Sequence, residues 1–286
     1  MRSQSTISVT GVLARLRALL TDRNLQIRLL SAFVLIPIVI AVVYAGGWWF
    51  AGLIALGIVM AIREWGRMVL GDNWLTLTII MGLAALVAFL GTAPMPVVPM
   101  AAILVLAAIV ISALAIAVTR KPWGALIGVP YVLVPAVCLI WLRGHGDGFR
   151  LMMYLFFVVW GTDSGAYLVG RIVGGPKLAP QISPSKTWSG AIGGALIAAV
   201  TGLVVAMLHG TELPVIAFGV ALLLAIATQL GDLFESALKR RYAIKDSGDA
   251  IPGHGGILDR VDGLLVASAV LALFHGLLLA MGYNWW

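Results

Sequence analysis

Charged residues are scarce in this chain of 286 residues. Asp, Glu, Lys and Arg make up 11% of it, against about 25% in a typical soluble protein. Apolar runs of about 20 residues recur along the sequence, and each is long enough to cross a hydrocarbon core of about 30 Å. The composition therefore excludes a soluble domain and predicts an all-α, polytopic integral membrane protein.

Cysteine is almost absent as well, since Cys138 is the only one. A single thiol excludes an intrachain disulfide and a cysteine-built metal site. Its position in an apolar run predicts a packing residue. Acidic residues are also few, 12 against 19 Lys and Arg. In a membrane protein we interpret this excess as an orientation signal and not as a sign of nucleic-acid binding.

Nine apolar segments predict nine transmembrane helices, of which the sixth is the least apolar because it contains Asp163. They divide the chain into a basic N-terminal segment (1–26), a bundle of five spans (27–142) and a region of four spans with polar loops (143–286). The sequence GVLARLRALL in the first segment fits either an interfacial helix or a basic tail that serves only topology. The predicted spans lie near 27–45, 47–63, 74–92, 97–119, 124–142, 150–170, 188–208, 213–231 and 264–282.

The basic residues are distributed unevenly between the two sides of these spans. With nine spans, 17 of the 19 fall on one side, and only Arg143 and Arg150 fall on the other. Because Lys and Arg favour the cytoplasmic side, we expect the N-terminus inside and the C-terminus outside. This places the protein in the cytoplasmic (inner) membrane, with its polar loops in the cytoplasm.

The most polar stretch, KRRYAIKDSGDAIPGHGGILDRVDG at 239–263, lies between two apolar spans. Asp232 ends the preceding span, and Asp259 and Asp262 lie one helical turn apart before the next. Carboxylates at a membrane boundary are costly unless they are paired or bind a cation. The three aspartates therefore indicate a metal site, and oxygen ligands favour Mg²⁺, Mn²⁺ or Ca²⁺ over zinc.

A polar stripe extends the eighth span beyond the membrane boundary. Its four residues recur at i, i+3, i+4 and i+7, so they share one helical face. In the loop that follows, the backbone of Gly255 and Gly256 suits a phosphate, and His254 fits a ligand, an acid–base group or a structural residue. The residues of the stripe are Asp232, Glu235, Ser236 and Lys239.

Two further polar sites are predicted on the same side. Asp163 is a lone intramembrane carboxylate, which is usually functional or paired with a base, and Gly161 and Gly165 beside it predict close helix packing. The sequence SPSKTWS before the seventh span fits an anion-binding helix N-terminus, or an N-cap with a snorkelling lysine. Its polar residues are Ser183, Ser185, Lys186, Thr187 and Ser189. Together these features indicate phosphoryl or nucleotidyl transfer with a divalent cation.

The stretch from Ser236 to Gly263, SALKRRYAIKDSGDAIPGHGGILDRVDG, resembles the signature of the phosphatidate cytidylyltransferases, or CDP-diacylglycerol synthases. The Asp163 segment and SPSKTW also resemble motifs of that family. The resemblance implies an enzyme of phospholipid biosynthesis that transfers a cytidylyl group from CTP to phosphatidic acid, giving CDP-diacylglycerol and pyrophosphate. The lipid phosphate would attack the α-phosphate of CTP with the help of Mg²⁺ or Mn²⁺, and a second cation is possible.

The resemblance also implies roles for individual residues. The cation ligands would be Asp232, Asp259, Asp262 and Asp163. The catalytic residues would be these first three aspartates with Lys239 and Arg260. Phosphate groups would be bound by Lys186, Lys239, Arg240 and Arg260, alongside Ser183, Ser185, Thr187, Lys245, Gly255 and Gly256. Asp246 and His254 are motif positions without an assigned role. Members of the family form homodimers, so a second copy is an expected partner besides the bilayer.

Two other functions remain open at this stage. A CDP-alcohol phosphotransferase also uses spaced aspartates, but its pattern begins Asp-Gly-x-x-Ala-Arg. Here Asp262 and Gly263 precede LLVASAVLALF, which holds no arginine and no acid. A transporter, the non-enzymatic alternative, would place charges at the midplane in broken helices, whereas most charges here are predicted at the cytoplasmic ends.

Overall fold

The computed structural model describes residues 23–69, 75, 109–110, 113, 122–211, 213–248 and 255–286. Within these ranges it contains seven long helices and one short antiparallel hairpin. The helices are α1 (Arg23–Ala45), α2 (Gly47–Val69), α3 (Pro122–Gly144), α4 (Gly148–Val173), α5 (Trp188–Leu208), α6 (Pro214–Arg241) and α7 (Leu258–Ala280). The hairpin, which lies between α4 and α5, consists of β1 (Lys177–Ala179) and β2 (Ser183–Thr187).

Six of the described helices, α2 to α7, are long and apolar enough to cross a membrane. In α1, a shorter apolar helix covers Phe33–Ala45. The prediction of a helical, multi-spanning membrane protein is therefore confirmed. The predicted spans at 74–92 and 97–119 fall almost entirely outside the described residues, as does the N-terminal segment up to residue 22. The count of nine spans thus stays a prediction.

A glycine pair forms the tight turn between α1 and α2. Gly46 and Gly47 have φ angles of 62° and 45°, a region that residues with a Cβ rarely adopt. Arg143, at the end of α3, donates from Nε to the Val43 carbonyl at 2.6 Å and from Nη2 to the Tyr44 carbonyl at 3.0 Å. These bonds supply donors for the last carbonyl groups of α1, which lack N–H partners within the helix.

Helices α4 and α5 lie backbone against backbone because both have small residues at the contact. A Cβ added to Gly165 would lie 3.1 Å from the Gly194 Cα, and one added to Gly194 would lie 2.7 Å from the Thr162 carbonyl oxygen. The predicted packing role of Gly161 and Gly165 is therefore confirmed. This close approach fixes Asp163 of α4 near the start of α5.

Gly194→Ala is expected to lower the free energy of unfolding by about 1–3 kcal/mol, because the added methyl group must displace the backbone of α4. The midpoint of thermal unfolding in detergent measures this effect. Gly219→Ala is the control, since a Cβ at this α6 glycine would meet nothing within 4 Å. Equal midpoints for Gly194→Ala and the unmodified protein would contradict the close helix contact.

The described bundle has two polar ends. At one end, Thr211 Oγ1 donates to the Trp285 carbonyl at 2.9 Å, and Trp285 Nε1 donates to His275 Nδ1 at 3.0 Å. Arg143 and Arg150 lie at this same end, in the last turn of α3 and the first turn of α4. At the other end, α2, α4 and α6 finish, and the hairpin and α7 begin. The polar residues that the sequence selected lie mainly at this second end.

Candidate active site

An open cavity of about 820 Å³ lies where α4 and α6 finish and α7 begins. Its volume is in the range of small-molecule binding sites. Arg171 and Lys177, which were not among the predicted site residues, also line it. The structure also brings together nine of the predicted site residues in its wall: Asp163, Ser185, Lys186, Thr187, Asp232, Lys239, Asp259, Arg260 and Asp262.

Asp232 and Asp262 reach the same cavity because α6 and α7 cross closely beside them. A Cβ added to Gly231 would lie 2.6 Å from the Asp262 carbonyl oxygen, and one added to Gly263 would lie 2.6 Å from Thr228 Cγ2. Glycine at both positions allows the two backbones to approach. The adjacent aspartates therefore come from two helices to one wall, as the sequence predicted.

Lys186 lies on β2 and forms an ion pair with Asp232 of α6. The next residue, Thr187, caps α5 by accepting a hydrogen bond from Gly190 N at 3.1 Å. The predicted N-cap is therefore confirmed at Thr187. The preceding residues form a strand, which the sequence analysis did not predict, and this strand brings Lys186 to the cavity. The anion-binding role of Lys186 stays a prediction.

The polar stripe predicted for the eighth span lies on one face of α6. Ser236 Oγ donates to Asp232 Oδ1 at 3.5 Å, and Lys239 Nζ donates to Glu235 Oε2 at 3.2 Å. Glu235 is only 1% exposed, so its pairing with a lysine offsets the cost of burying a carboxylate. The helix continues to Arg241, which confirms the predicted extension of this span.

Asp259 accepts hydrogen bonds on both of its carboxylate oxygens. Oδ1 accepts from Lys239 Nζ at 2.5 Å, and Oδ2 accepts from Ser247 N at 2.9 Å, Ser247 Oγ at 3.0 Å and Gly256 N at 3.0 Å. Hydrogen bonds to a charged acceptor are stronger than neutral ones, so these donors fix the orientation of the carboxylate. Asp259 thereby connects α7 to α6 and to the loop between them.

A buried carboxylate that the sequence analysis did not select lies next to this network. Glu64 of α2 is 4% exposed, and it accepts from Ile257 N at 2.8 Å and from Leu258 N and Ser247 Oγ at 2.9 Å each. The first N–H groups of a helix have no partners within it, and Glu64 supplies acceptors at the start of α7. An acidic residue in an apolar helix is usually functional or paired, and this rule, which selected Asp163, could also have identified Glu64.

Several predicted residues lie outside the lining of the cavity. Arg240 Nε donates to a carbonyl at the hairpin turn at 3.3 Å. Gly256 N–H is directed to Asp259, and Gly255 has a φ of 79°, which favours glycine. His254 lies outside the described residues. The functional roles of the following residues stay predictions: Ser183, Arg240, Lys245, Asp246, Gly255 and Gly256.

The carboxylates of the cavity fit a hard divalent cation by ligand type, because Mg²⁺ prefers oxygen and typically uses one or two protein carboxylates. Asp163, Asp232 and Asp262 lie in the wall, where Asp232 also pairs with Lys186. In the described part of the chain, no three His, Cys, Asp or Glu side chains are grouped closely enough to hold a metal by themselves. Water and phosphate oxygens would therefore complete the coordination, and the metal site stays a prediction.

Comparison with known proteins gives one consistent family. A phosphatidate cytidylyltransferase of Brucella suis biovar 1 (strain 1330) is 42% identical over 261 residues, which cover 88% of this chain and 93% of that protein. A protein of the same name from Rickettsia bellii (strain RML369-C) is 39% identical over 161 residues, 54% of this chain and 70% of that protein. Another, from Bacillus subtilis (strain 168), is 47% identical over 132 residues, 44% and 49% of the two chains. Residues 26–278 match the Cytidylyltransferase family as a whole, and the chain therefore belongs to that family.

Proposed function

We propose that this protein is a phosphatidate cytidylyltransferase, which converts CTP and phosphatidic acid to CDP-diacylglycerol and pyrophosphate. The observation that carries the proposal is an open cavity in which carboxylates of α4, α6 and α7 lie beside Lys and Arg side chains. The cavity lies at the end of helices that are apolar enough to cross a membrane. The identity to the Brucella protein of that name, over most of both chains, supports the same reaction.

The chemical difficulty of this reaction is electrostatic. An oxygen of the lipid phosphate forms a bond to the α-phosphorus of CTP while the bond from that phosphorus to pyrophosphate breaks, so three anionic groups must lie together. The lipid phosphate is ionised near neutral pH, as phosphate monoesters are, and a strong general base is not required. Fixed positive charges stabilise the developing charge, and those lining the cavity are Arg171, Lys177, Lys186, Lys239 and Arg260.

The carboxylates in the cavity wall and directly behind it divide into two groups. Asp232 and Asp262, with Asp163 nearby, would hold Mg²⁺ or Mn²⁺ and a second cation if one is used. When bound, a cation would neutralise and orient the phosphate groups. Glu235 and Asp259 both pair with Lys239, so they fix the position of a phosphate-binding base. We still propose Asp259 as a cation ligand, although it pairs with Lys239 here.

The position of the cavity suits one substrate held in the bilayer and another dissolved in water. We place this end of the bundle on the cytoplasmic side of a bacterial inner membrane. Arg143 and Arg150 lie at the opposite end, and most of the other described Lys and Arg residues lie here. With nine spans, this orientation puts the N-terminus inside and the C-terminus outside. A homodimer, as the family resemblance implies, completes the proposal.

A product assay tests the proposed reaction. Purified protein in mixed micelles should form CDP-diacylglycerol and pyrophosphate in equal amounts from CTP, phosphatidic acid and Mg²⁺. A CDP-alcohol phosphotransferase would instead consume CDP-diacylglycerol and an alcohol and release CMP. A transporter would give neither product. No CDP-diacylglycerol from fully folded protein would contradict the proposed function.

Lys186→Ala and Arg260→Ala are each expected to lower kcat/KM about ten- to a hundred-fold, because a charge-assisted hydrogen bond to phosphate is worth about 1.5–3 kcal/mol. Membrane insertion should be unchanged. Arg150→Ala is the control, since Arg150 pairs with Asp147 at the opposite end of the bundle. If both site variants keep the kcat/KM of the unmodified enzyme, these two residues only serve orientation.

A reporter fused after Trp286 should behave as extracytoplasmic, because nine spans and a cytoplasmic N-terminus place the C-terminus outside. Alkaline phosphatase and green fluorescent protein fusions give opposite signals for the two locations. A second fusion after Arg241, at the end of α6, should report the cytoplasm. A cytoplasmic signal from the Trp286 fusion would contradict the proposed count of nine spans.

A further inference from the structure

Glu64 contacts the catalytic region from a distant part of the sequence. It lies in α2, and it is hydrogen-bonded to Ser247, 183 residues further along the chain, at 2.9 Å. It also accepts from the backbone N–H groups of Ile257 and Leu258 at the start of α7. A buried carboxylate is costly unless it is hydrogen-bonded, and the two N–H groups give each oxygen of Glu64 a donor.

Ser247 extends these contacts to the cavity. Its Oγ lies 2.9 Å from Glu64 Oε2 and 3.0 Å from Asp259 Oδ2, and Asp259 Oδ1 accepts from Lys239 Nζ at 2.5 Å. A serine hydroxyl has one proton to donate, so its oxygen links two carboxylates that compete for that proton. A continuous series of polar contacts therefore runs from Glu64, behind the cavity, to Lys239 in its wall.

The loop is shaped to admit Glu64. A Cβ added to Gly248 would lie 2.8 Å from Glu64 Cγ, and one added to Gly256 would lie 2.5 Å from Glu64 Oε2. Glycine at both positions thus leaves the space that the carboxylate occupies. Gly248 and Gly256 therefore have a packing role at Glu64, which does not depend on a phosphate ligand.

From these contacts we infer that Glu64 is a positioning residue for the reaction: through Ser247 and the start of α7, it fixes Asp259 and hence Lys239. The inference rests on the proposed cytidylyl transfer. If Glu64 has this role, the N-terminal bundle contributes to the active site, because Glu64 belongs to α2. Small displacements of a phosphate-binding group lower the rate strongly, since catalysis here depends on the alignment of charges.

The test compares three single variants of the full-length protein and the double variant Glu64→Gln/Ser247→Ala. Glu64→Gln keeps the shape but replaces one acceptor oxygen by a donor, which then faces the N–H of either Ile257 or Leu258. Ser247→Ala removes the linking hydroxyl. Asp147→Asn is the matched control, because it neutralises a carboxylate at the opposite end of the bundle. Each variant is measured for folded protein, for kcat and KM with CTP, and for hydrogen exchange of the segment 244–262.

The expected result is a fall in kcat of about ten- to a hundred-fold for Glu64→Gln, with a smaller change in KM, and faster exchange of residues 255–262 than in the unmodified protein. Asp147→Asn should leave all three measurements unchanged. In the double variant, the fall in kcat should be smaller than the product of the two single-variant falls, because both changes interrupt one series of contacts. An unchanged kcat per folded Glu64→Gln molecule, as a merely structural role predicts, would overturn the inference.

Two remaining outcomes are also decided. If Glu64→Gln does not fold, Ser247→Ala takes its place: a lowered kcat supports the inference, and a kcat equal to that of the unmodified enzyme contradicts it. If the unmodified protein makes no CDP-diacylglycerol, the proposed function fails. The hydrogen-exchange comparison then still decides whether Glu64 fixes the start of α7, and equal exchange rates would exclude it.

Discussion

Lys239→Met is expected to abolish nearly all activity and to destabilise the protein. Lys239 Nζ lies between Glu235 Oε2 at 3.2 Å and Asp259 Oδ1 at 2.5 Å, and the three side chains are 15%, 2% and 10% exposed. Methionine keeps most of the apolar stem but leaves two buried carboxylates without their cation. Removing one partner from a buried pair costs about 3–5 kcal/mol, so the free energy of unfolding should fall by that order.

Activity should fall further than stability alone explains. The proposed phosphate contact of Lys239 is lost and Asp259 is released, so we expect kcat/KM per folded molecule to fall by more than about a hundred-fold. Thermal unfolding in detergent and a CTP-dependent rate assay measure the two effects separately. Arg241→Met is the control, because Arg241 is an exposed base two residues further along the same helix. A stable Lys239→Met protein with normal turnover would contradict both roles.

A second substitution separates the ion pair from the phosphate contact. If the instability of Lys239→Met comes from the unpaired Asp259 carboxylate, adding Asp259→Asn should restore part of the lost stability, because the uncompensated charge is removed. The double variant should remain inactive, since neither change restores a phosphate-binding cation. Additive losses of stability would show that the two side chains do not interact.

The contacts of α6 and α7 explain why much of this site could be predicted from the sequence. The stripe from Asp232 to Lys239 repeats with helical spacing, so one face of α6 follows directly from the order of residues. Asp259 and Asp262 are one turn apart for the same reason. The sequence places these aspartates at one level because they lie at the boundaries of apolar spans, whereas the close packing at Gly231 and Gly263 is seen only in the structure.

Two features of the structure were not predicted from the sequence, the hairpin and the burial of Glu64. Strands as short as β1 and β2 are stabilised by pairing and not by local preference, and SPSKT has the hydroxyl residues that are also typical of helix caps. Glu64 stands between Arg63 and other charges at the end of a span, so it resembled an ordinary charged boundary. Only the packing of α2 against the loop shows that it is buried. The family resemblance, in contrast, is confirmed by the match over residues 26–278.

The second large effect is expected for the aspartates at the crossing of α6 and α7. Asp232→Asn and Asp262→Asn keep the side-chain shape but remove a charge from the proposed cation site, and cation binding by oxygen ligands depends on that charge. We expect each variant to insert normally and to lose more than about a hundred-fold in turnover, which corresponds to about 3 kcal/mol or more of lost stabilisation. The measurement is activity per folded molecule over a Mg²⁺ titration.

The titration distinguishes a cation ligand from an ion-pair partner. Asp232 also pairs with Lys186, so a loss in Asp232→Asn alone could come from the released lysine. Lys186→Met removes that pair and keeps the carboxylate, and it should lower turnover without raising the Mg²⁺ concentration needed for half-maximal rate. Asp232→Asn and Asp262→Asn should raise that concentration, with turnover restored partly or not at all.

Asp259→Asn completes the comparison, because its contacts and the family resemblance imply different results. If Asp259 is a cation ligand, Asp259→Asn should raise the Mg²⁺ requirement in the same way as the substitutions of the other two aspartates. As the partner of Lys239, Ser247 and Gly256, it should instead lower stability and turnover at an unchanged Mg²⁺ requirement, since an amide supplies only one acceptor oxygen to these donors. Folded Asp232→Asn and Asp262→Asn proteins with near-normal turnover at the usual Mg²⁺ concentration would contradict the cation site itself.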